Sequence, residues 1–296
     1  MGNHIDQPPP LTNDLVSCET LARHLDDPEW RVIDARFDLF DTAAGENAYR
    51  ESHIPGALYA HLDRDLAGPP GADRGRHPLP DPVSWQATVS RWGIGPRTRV
   101  VVYDDAGGAI AARLWWMLRW SGHARVALLD GGWNCWRSGG RALEAGIRRV
   151  ESVDFRASTQ TGWTADTNET ALALAAGGLV LDARAAPRYR GEVEPIDSKP
   201  GHIPGAVNVP FSDNLDGHGR FRPSGQLREL YRDKFDGRHA AAAIAMCGSG
   251  VTACHSLLAM RLAGLGDGRL YVGSWSAWIS DPERPIALGN APQLYK

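Results

Sequence analysis

The sequence predicts an α/β protein built from two tandem copies of one domain, each a mainly parallel sheet flanked by helices. Two observations carry that expectation. The first is an internal repeat: Val32-Ile33-Asp34-Ala35-Arg36 returns as Val180-Leu181-Asp182-Ala183-Arg184, and His53-Ile54-Pro55-Gly56-Ala57 as His202-Ile203-Pro204-Gly205-Ala206. Asp130-Gly131-Gly132-Trp133-Asn134-Cys135-Trp136 matches Val272-Gly273-Ser274-Trp275-Ser276-Ala277-Trp278. The separations (Val32 to Val180, His53 to His202, Trp133 to Trp275) are 148, 149 and 142 residues, and the three matches keep their order. A duplicated fold explains this and coincidence does not. The second observation is that apolar runs of strand length alternate with amphipathic runs of helix length. That alternation belongs to a parallel sheet covered on both faces.

In chain order, Arg31 to Ala35 reads as a strand, Ser84 to Trp92 as a helix and Arg99 to Tyr103 as a second strand. Ala109 to Trp120 is helical, and Arg125 to Leu129 is a third strand of the first copy. In the second copy, Ser224 to Lys234 reads as a helix, Ala240 to Met246 as a buried strand and Thr252 to Leu262 as the following helix. Arg141 to Trp163 match nothing in either copy. The expected division is therefore an N-terminal domain over 12–140, a linker over 141–163 and a C-terminal domain over 164–296.

With 296 residues, 43% hydrophobic and 23% charged, the chain has the make-up of a globular protein of two ordinary domains. A net charge of -3, with acids interleaved among the arginines, gives no basic block for nucleic acid or an anionic membrane. No apolar stretch has the length of a membrane span, and the opening MGNHIDQPPP has no apolar core of a signal peptide. Asp6 also stands where a myristoylation signal needs Ser or Thr. Cysteines at 18, 135, 247 and 254 make no disulfide framework, which points to a reducing cytoplasm. No Cys/His spacing fits a metal and no glycine-rich loop fits a nucleotide, so neither metal nor organic cofactor is expected.

Cys247 is the residue that points to chemistry. It opens Cys247-Gly248-Ser249-Gly250-Val251-Thr252-Ala253, on the turn between the buried strand and the next helix. Residues beyond the carboxyl end of a parallel strand are where such sheets do their work. Two glycines let backbone amides turn inward, and amides at a helix start favour the thiolate, the nucleophilic form of cysteine. For Cys18 and Cys135 the reading is inert packing, since neither follows a strand into a glycine turn. Cys254, two helical turns beyond Cys247, is read as core, with a resolving thiol as the competing role. Aligning Arg119 with Arg261 and Gly122 with Gly264 sets Asp105 opposite Cys247. A carboxylate cannot accept a sulfur atom, so only the C-terminal copy is expected to be covalently active. His53 and His202 occur in both copies and are read as structural turn residues, Asp34 and Asp182 as local caps, and the tryptophans as packing.

Tandem copies, paired HIPGA motifs, DGGW-type turns and one CGSGVTA loop together resemble the two-domain rhodanese-like sulfurtransferases, over about Val16 to Ile286. The resemblance implies a rhodanese fold in each half and a Cys247 that cycles through a persulfide. Within the family, the CGSG-type loop is similar to that of the 3-mercaptopyruvate sulfurtransferases. It implies a small-molecule sulfur donor and a thiol, thioredoxin or cyanide acceptor. By the same likeness Arg188 holds the donor's carboxylate, and Gly248, Gly250, Val251 and Thr252 bind through the loop. Ser249, His77 and Asp63 match the proposed relay. Neutral residues after the cysteine suit a monoanion gripped further away, since a guanidinium holds a carboxylate bidentately. The family's second substrate arginine belongs near Ile196, where this chain has none; Arg190 or Lys199 is the expected substitute. The rival readings are a thiosulfate:cyanide sulfurtransferase and a non-catalytic sulfur-relay module. A cysteine phosphatase of related fold needs an arginine at the loop's end, where Ala253 stands.

Overall fold

The computed structural model describes residues 14–235, 237–238 and 242–290. The opening MGNHIDQPPP run, positions 12–13 of the expected N-terminal domain, Ala240 and Ala241 of the expected strand, and 291–296 lie outside the described residues. The chain divides into two units, one of Met1–Asp65 with Asp81–Gln160, the other of Leu66–Pro80 with Thr161–Lys296. The segment Leu66–Pro80 therefore belongs to the second unit although it lies within the first sequence copy.

The first unit runs β1 (Leu15–Val16), α1 (Cys18–Ala22), β2 (Trp30–Asp34), α2 (Ala44–Glu51), β3 (Leu58–Tyr59) and α3 (Leu62–Asp65). It continues with α4 (Pro82–Arg91), β4 (Arg99–Tyr103), α5 (Ala111–Trp120), β5 (Val126–Leu129) and α6 (Gly132–Ser138). Its strands form one parallel sheet in the order β1-β5-β4-β2-β3. β4, Arg-Val-Val-Val-Tyr, is buried over its last four residues, as a strand covered on both faces should be. α4 starts where Asp81 accepts from Val83 N and Ser84 N and Pro82 takes the first turn, where a missing N–H costs nothing. Tyr49, Val101, Trp133 and Trp136 meet in the core on one side of this sheet. Cys18 Sγ lies 2.9 Å from Cys135 Sγ. Burial and then that contact push the Cys18 thiol up to about 12, which leaves it protonated and inert.

The second unit repeats the plan: β6 (Thr164–Ala165), α7 (Thr167–Ala175), β7 (Val180–Asp182), α8 (Ala186–Arg190), β8 (Val207–Asn208) and a 3-10 turn at Phe211–Asn214. α9 (Ser224–Phe235), β9 (Ile244–Met246), α10 (Ala253–Leu262), β10 (Arg269–Tyr271) and α11 (Ser274–Trp278) complete it. The order β6-β10-β9-β7-β8, again parallel, is that of the first sheet strand for strand. A capping box of Asp166 and Glu169 starts α7.

The repeated motifs play the same parts in both units. Asp34 and Asp182 each accept from the backbone N–H two residues on and from the guanidinium of Arg36 or Arg184. Those guanidinium groups lie 4.3 Å and 4.6 Å from the ring centres of Trp133 and Trp275. His53 and His202 are buried, each bonded through Nδ1 to a tyrosine carbonyl, Tyr49 O at 2.7 Å and Tyr189 O at 2.8 Å. No described helix is long and apolar enough to cross a membrane.

Candidate active site

The loop from Cys247 to Thr252 joins β9 to α10, at the carboxyl end of a strand flanked by neighbours on both sides. Its backbone is tied to the start of α11: Cys247 O accepts from Trp275 N at 3.0 Å, and Gly248 O from Ser276 N at 2.9 Å. Cys247 N donates to Ser274 Oγ at 3.1 Å. Ser274 has a φ of 51°, the one positive value at a non-glycine among the described residues, and its hydroxyl donates back to Tyr271 O. Gly250 has to be glycine, because its φ is 76° and a Cβ there would stand 2.4 Å from Val272 O.

Comparison of the units corrects the expected pairing of Asp105 with Cys247. Trp133 N donates to Asp104 O as Trp275 N donates to Cys247 O, and each acceptor is the first residue after its strand. Asp104 is therefore the counterpart. The sequence alignment slipped by one because the first loop has seven residues, Asp104–Ile110, and the second six, Cys247–Thr252. The buried Asp104 carboxylate accepts four backbone N–H groups: Ala106 and Gly108 on Oδ1, Ile110 and Ala111 on Oδ2, all at 2.8–2.9 Å. The same kind of loop in the second unit carries Cys247 instead. Among the described residues, no acceptor takes the N–H groups of Ser249, Val251 and Thr252.

Most expected site residues meet in the second unit. Cys247 is 2% exposed and Ser249 5%. His77, 4% exposed, reaches the loop on Leu66–Pro80, with Nδ1 2.7 Å from Ser249 Oγ. That segment is docked by Gly75, whose φ of 82° lets it pass against Gly273 O, and by Arg76 N donating to Ser276 Oγ at 3.1 Å. Asp63 lies on α3 of the first unit, where its N–H donates to His61 Nδ1. Cys254 is buried, with Sγ 3.5 Å from Gly250 O.

Arg188, on α8, is held by two acids. It grips Glu194 bidentately, and its Nη2 also donates to Asp197 Oδ2 at 3.0 Å. Burial opposes the charge of Glu194, but Arg188 and the N–H groups of Asp197 and Ile196 hold its carboxyl below the ordinary range. Arg190 pairs with Glu192, and its neighbours around a cavity of about 390 Å³ include no residue of the Cys247 loop. At the place expected for a second arginine stands Asp197, whose other oxygen accepts from Arg76 Nη1 at 2.7 Å. Sequence reasoning missed Arg76 and Asp197, whose pairing spans 121 residues of chain, and Glu194, which lies six residues from Arg188 in a stretch without helix or strand. Among the described residues, no group of three or more His, Cys, Asp or Glu side chains is placed to hold a metal ion.

The rhodanese-like domain family matches the chain twice, over residues 17–138 and 166–281. The chain belongs to that family. A probable 3-mercaptopyruvate sulfurtransferase of Pseudomonas aeruginosa is 47% identical over 279 residues, 93% of this chain and 98% of the relative. A putative thiosulfate sulfurtransferase, SseB, of Mycobacterium tuberculosis is 42% identical over 268 residues, 88% of this chain and 91% of the relative. The crystal structure of SseA from Escherichia coli, described as a 3-mercaptopyruvate sulfotransferase of rhodanese fold, superposes with a TM-score of 0.78 at 31% identity. It covers 89% of this rhodanese-like chain and 99% of SseA.

Proposed function

We propose that the protein is a sulfurtransferase that takes sulfur from 3-mercaptopyruvate onto Cys247 and passes it to a thiol, thioredoxin or cyanide. One observation carries the reading: the position that in the first unit holds a carboxylate ringed by four amides holds Cys247 in the second, at the start of the equivalent strand-to-helix loop. A cradle that holds an anion in one copy suits a thiolate and a persulfide anion in the other. The Cys247 thiolate attacks the donor sulfur and the carbon–sulfur bond breaks. The electron pair leaves with the three-carbon fragment as the enolate of pyruvate. The Ser249–His77 pair, in contact at 2.7 Å, supplies the proton that converts this enolate to pyruvate, a task for which hydroxyl and imidazole are suited. An acceptor thiolate then attacks the outer sulfur of the Cys247 persulfide, forms its own persulfide and returns Cys247 as thiolate. Asp63 enters this scheme through the family resemblance alone.

Thiosulfate is the second reading, favoured by Arg76 and Arg188, whose Nη2 atoms lie 3.4 Å and 3.6 Å from where a Cβ on Gly248 would be. Steady-state kinetics with both donors separates them. The proposal expects a kcat/KM for 3-mercaptopyruvate at least about tenfold above that for thiosulfate. The reverse order would make thiosulfate the donor.

A further inference from the structure

The Asp197 side chain is 3% exposed and sits between two guanidinium groups beside the glycine that follows Cys247. Oδ1 takes Arg76 at 2.7 Å and Oδ2 takes Arg188 at 3.0 Å. A hypothetical Cβ on Gly248 would lie 3.4 Å from Arg76 Nη2, 3.6 Å from Arg188 Nη2 and 3.6 Å from Asp197 Oδ2. Three charged side chains thus converge on the residue that follows Cys247.

We infer that Arg76 is the second arginine of the donor site and that Asp197 is a resident carboxylate holding the place of the donor's own. The inference rests on the sulfurtransferase reading and names the residues that select the donor. Two arginines set around a planar carboxylate give the geometry that guanidinium groups favour, and they bind an incoming carboxylate as they bind Asp197. A second observation supports exchange of one carboxylate for the other. Asp197 lies on Glu192–Pro200, a stretch without helix or strand, bounded by Gly191 at φ 78° and Gly201 at φ 109°. Glu194 stays on Arg188 Nε and Nη2, so Arg188 is anchored when Asp197 swings out. Among the described residues Arg76 pairs with no acid other than Asp197, and its side chain is 30% exposed, so it can follow the donor.

The test is a mutant cycle in the full chain, read as KM and kcat for 3-mercaptopyruvate. Asp197→Asn removes the competing charge and lowers KM several-fold. In that background Arg76→Gln raises KM by about tenfold to a hundredfold, the worth of a charge-assisted hydrogen bond, and Arg76→Lys recovers part of the loss. Calorimetric titration with pyruvate reads the same site without turnover, and its Kd should move in parallel. If Arg76 only anchors Asp197, its loss changes neither KM nor pyruvate affinity once Asp197 is Asn, and the inference is overturned. That result leaves sulfur uptake by Cys247 intact. A wild-type protein that takes no sulfur from any donor removes the functional reading, and this inference with it.

Discussion

In the proposed reaction a single hydroxyl, that of Ser249, distinguishes the two donors. Breaking the carbon–sulfur bond of 3-mercaptopyruvate leaves a carbanion-like fragment that needs a proton, and Ser249 Oγ is 2.7 Å from His77 Nδ1. Sulfite leaving from thiosulfate needs none. Ser249→Ala should therefore cut kcat with 3-mercaptopyruvate by roughly 100-fold and kcat with thiosulfate much less, as measured by release of pyruvate and sulfite. Equal losses with both donors would remove the proton-supply role. Cys247 was legible in the sequence because a strand–glycine–helix turn marks it, whereas Ser249 and His77, which the structure brings together, were reached through the family resemblance. Asp197 and Arg76 were not, since each is an ordinary charged residue until the fold brings them together across 121 positions.

Strand and helix positions were legible because their apolar periodicity is strong. Arg99 to Tyr103 and Arg125 to Leu129 were expected, and β4 and β5 occupy Arg99–Tyr103 and Val126–Leu129. Loop register was not, because one extra residue between β4 and α5 leaves no trace in hydrophobicity. The shift moved the apparent counterpart of Cys247 from Asp104 to Asp105. The loop's shape depends on Gly250, where a side chain would meet Val272 O and adopt a left-handed backbone. Gly250→Ala should lower stability by about 2 kcal/mol or more and slow sulfur uptake, measured by thermal melting and single-turnover kinetics. An alanine variant that melts and reacts like wild type would contradict this account of the loop. In the first unit Asp104 does the work of a structural anion, so Asp104→Ala should destabilise that unit, leaving four buried amides without their acceptor.

At the scale of the molecule, two sheets of identical strand order explain the three motif repeats, and each unit has its own core. What the repeat could not reveal is that Leu66–Pro80 belongs with the second unit. That excursion carries His77 and Arg76, and turn-rich sequence gives no periodicity to say where it packs. Each unit also buries a histidine whose proton affinity is lowered by folding, which sets an acid limit on stability. Burial, with Arg125 adding repulsion, lowers His123 from 6.5 to about 4, and burial lowers His202 as well. The unfolded chain binds a proton at His123 near pH 6.5 and the folded chain only near 4, and His202 shifts in the same direction. Stability is therefore full above about pH 6.5 and declines as the pH falls toward 4, by about 3 kcal/mol for His123. Urea titrations across pH 7 to 4 should give this slope, reduced in His123→Gln; an equal slope in that variant would reject the assignment.

The central claim is that Cys247 carries the transferred sulfur, and intact-protein mass spectrometry after brief exposure to 3-mercaptopyruvate tests it most directly. The account predicts a gain of about 32 Da, one sulfur atom, mapped to the peptide containing Cys247, lost on adding a thiol and absent from Cys247→Ser. An unchanged mass with every sulfur donor, or the same adduct on the serine variant, would contradict it.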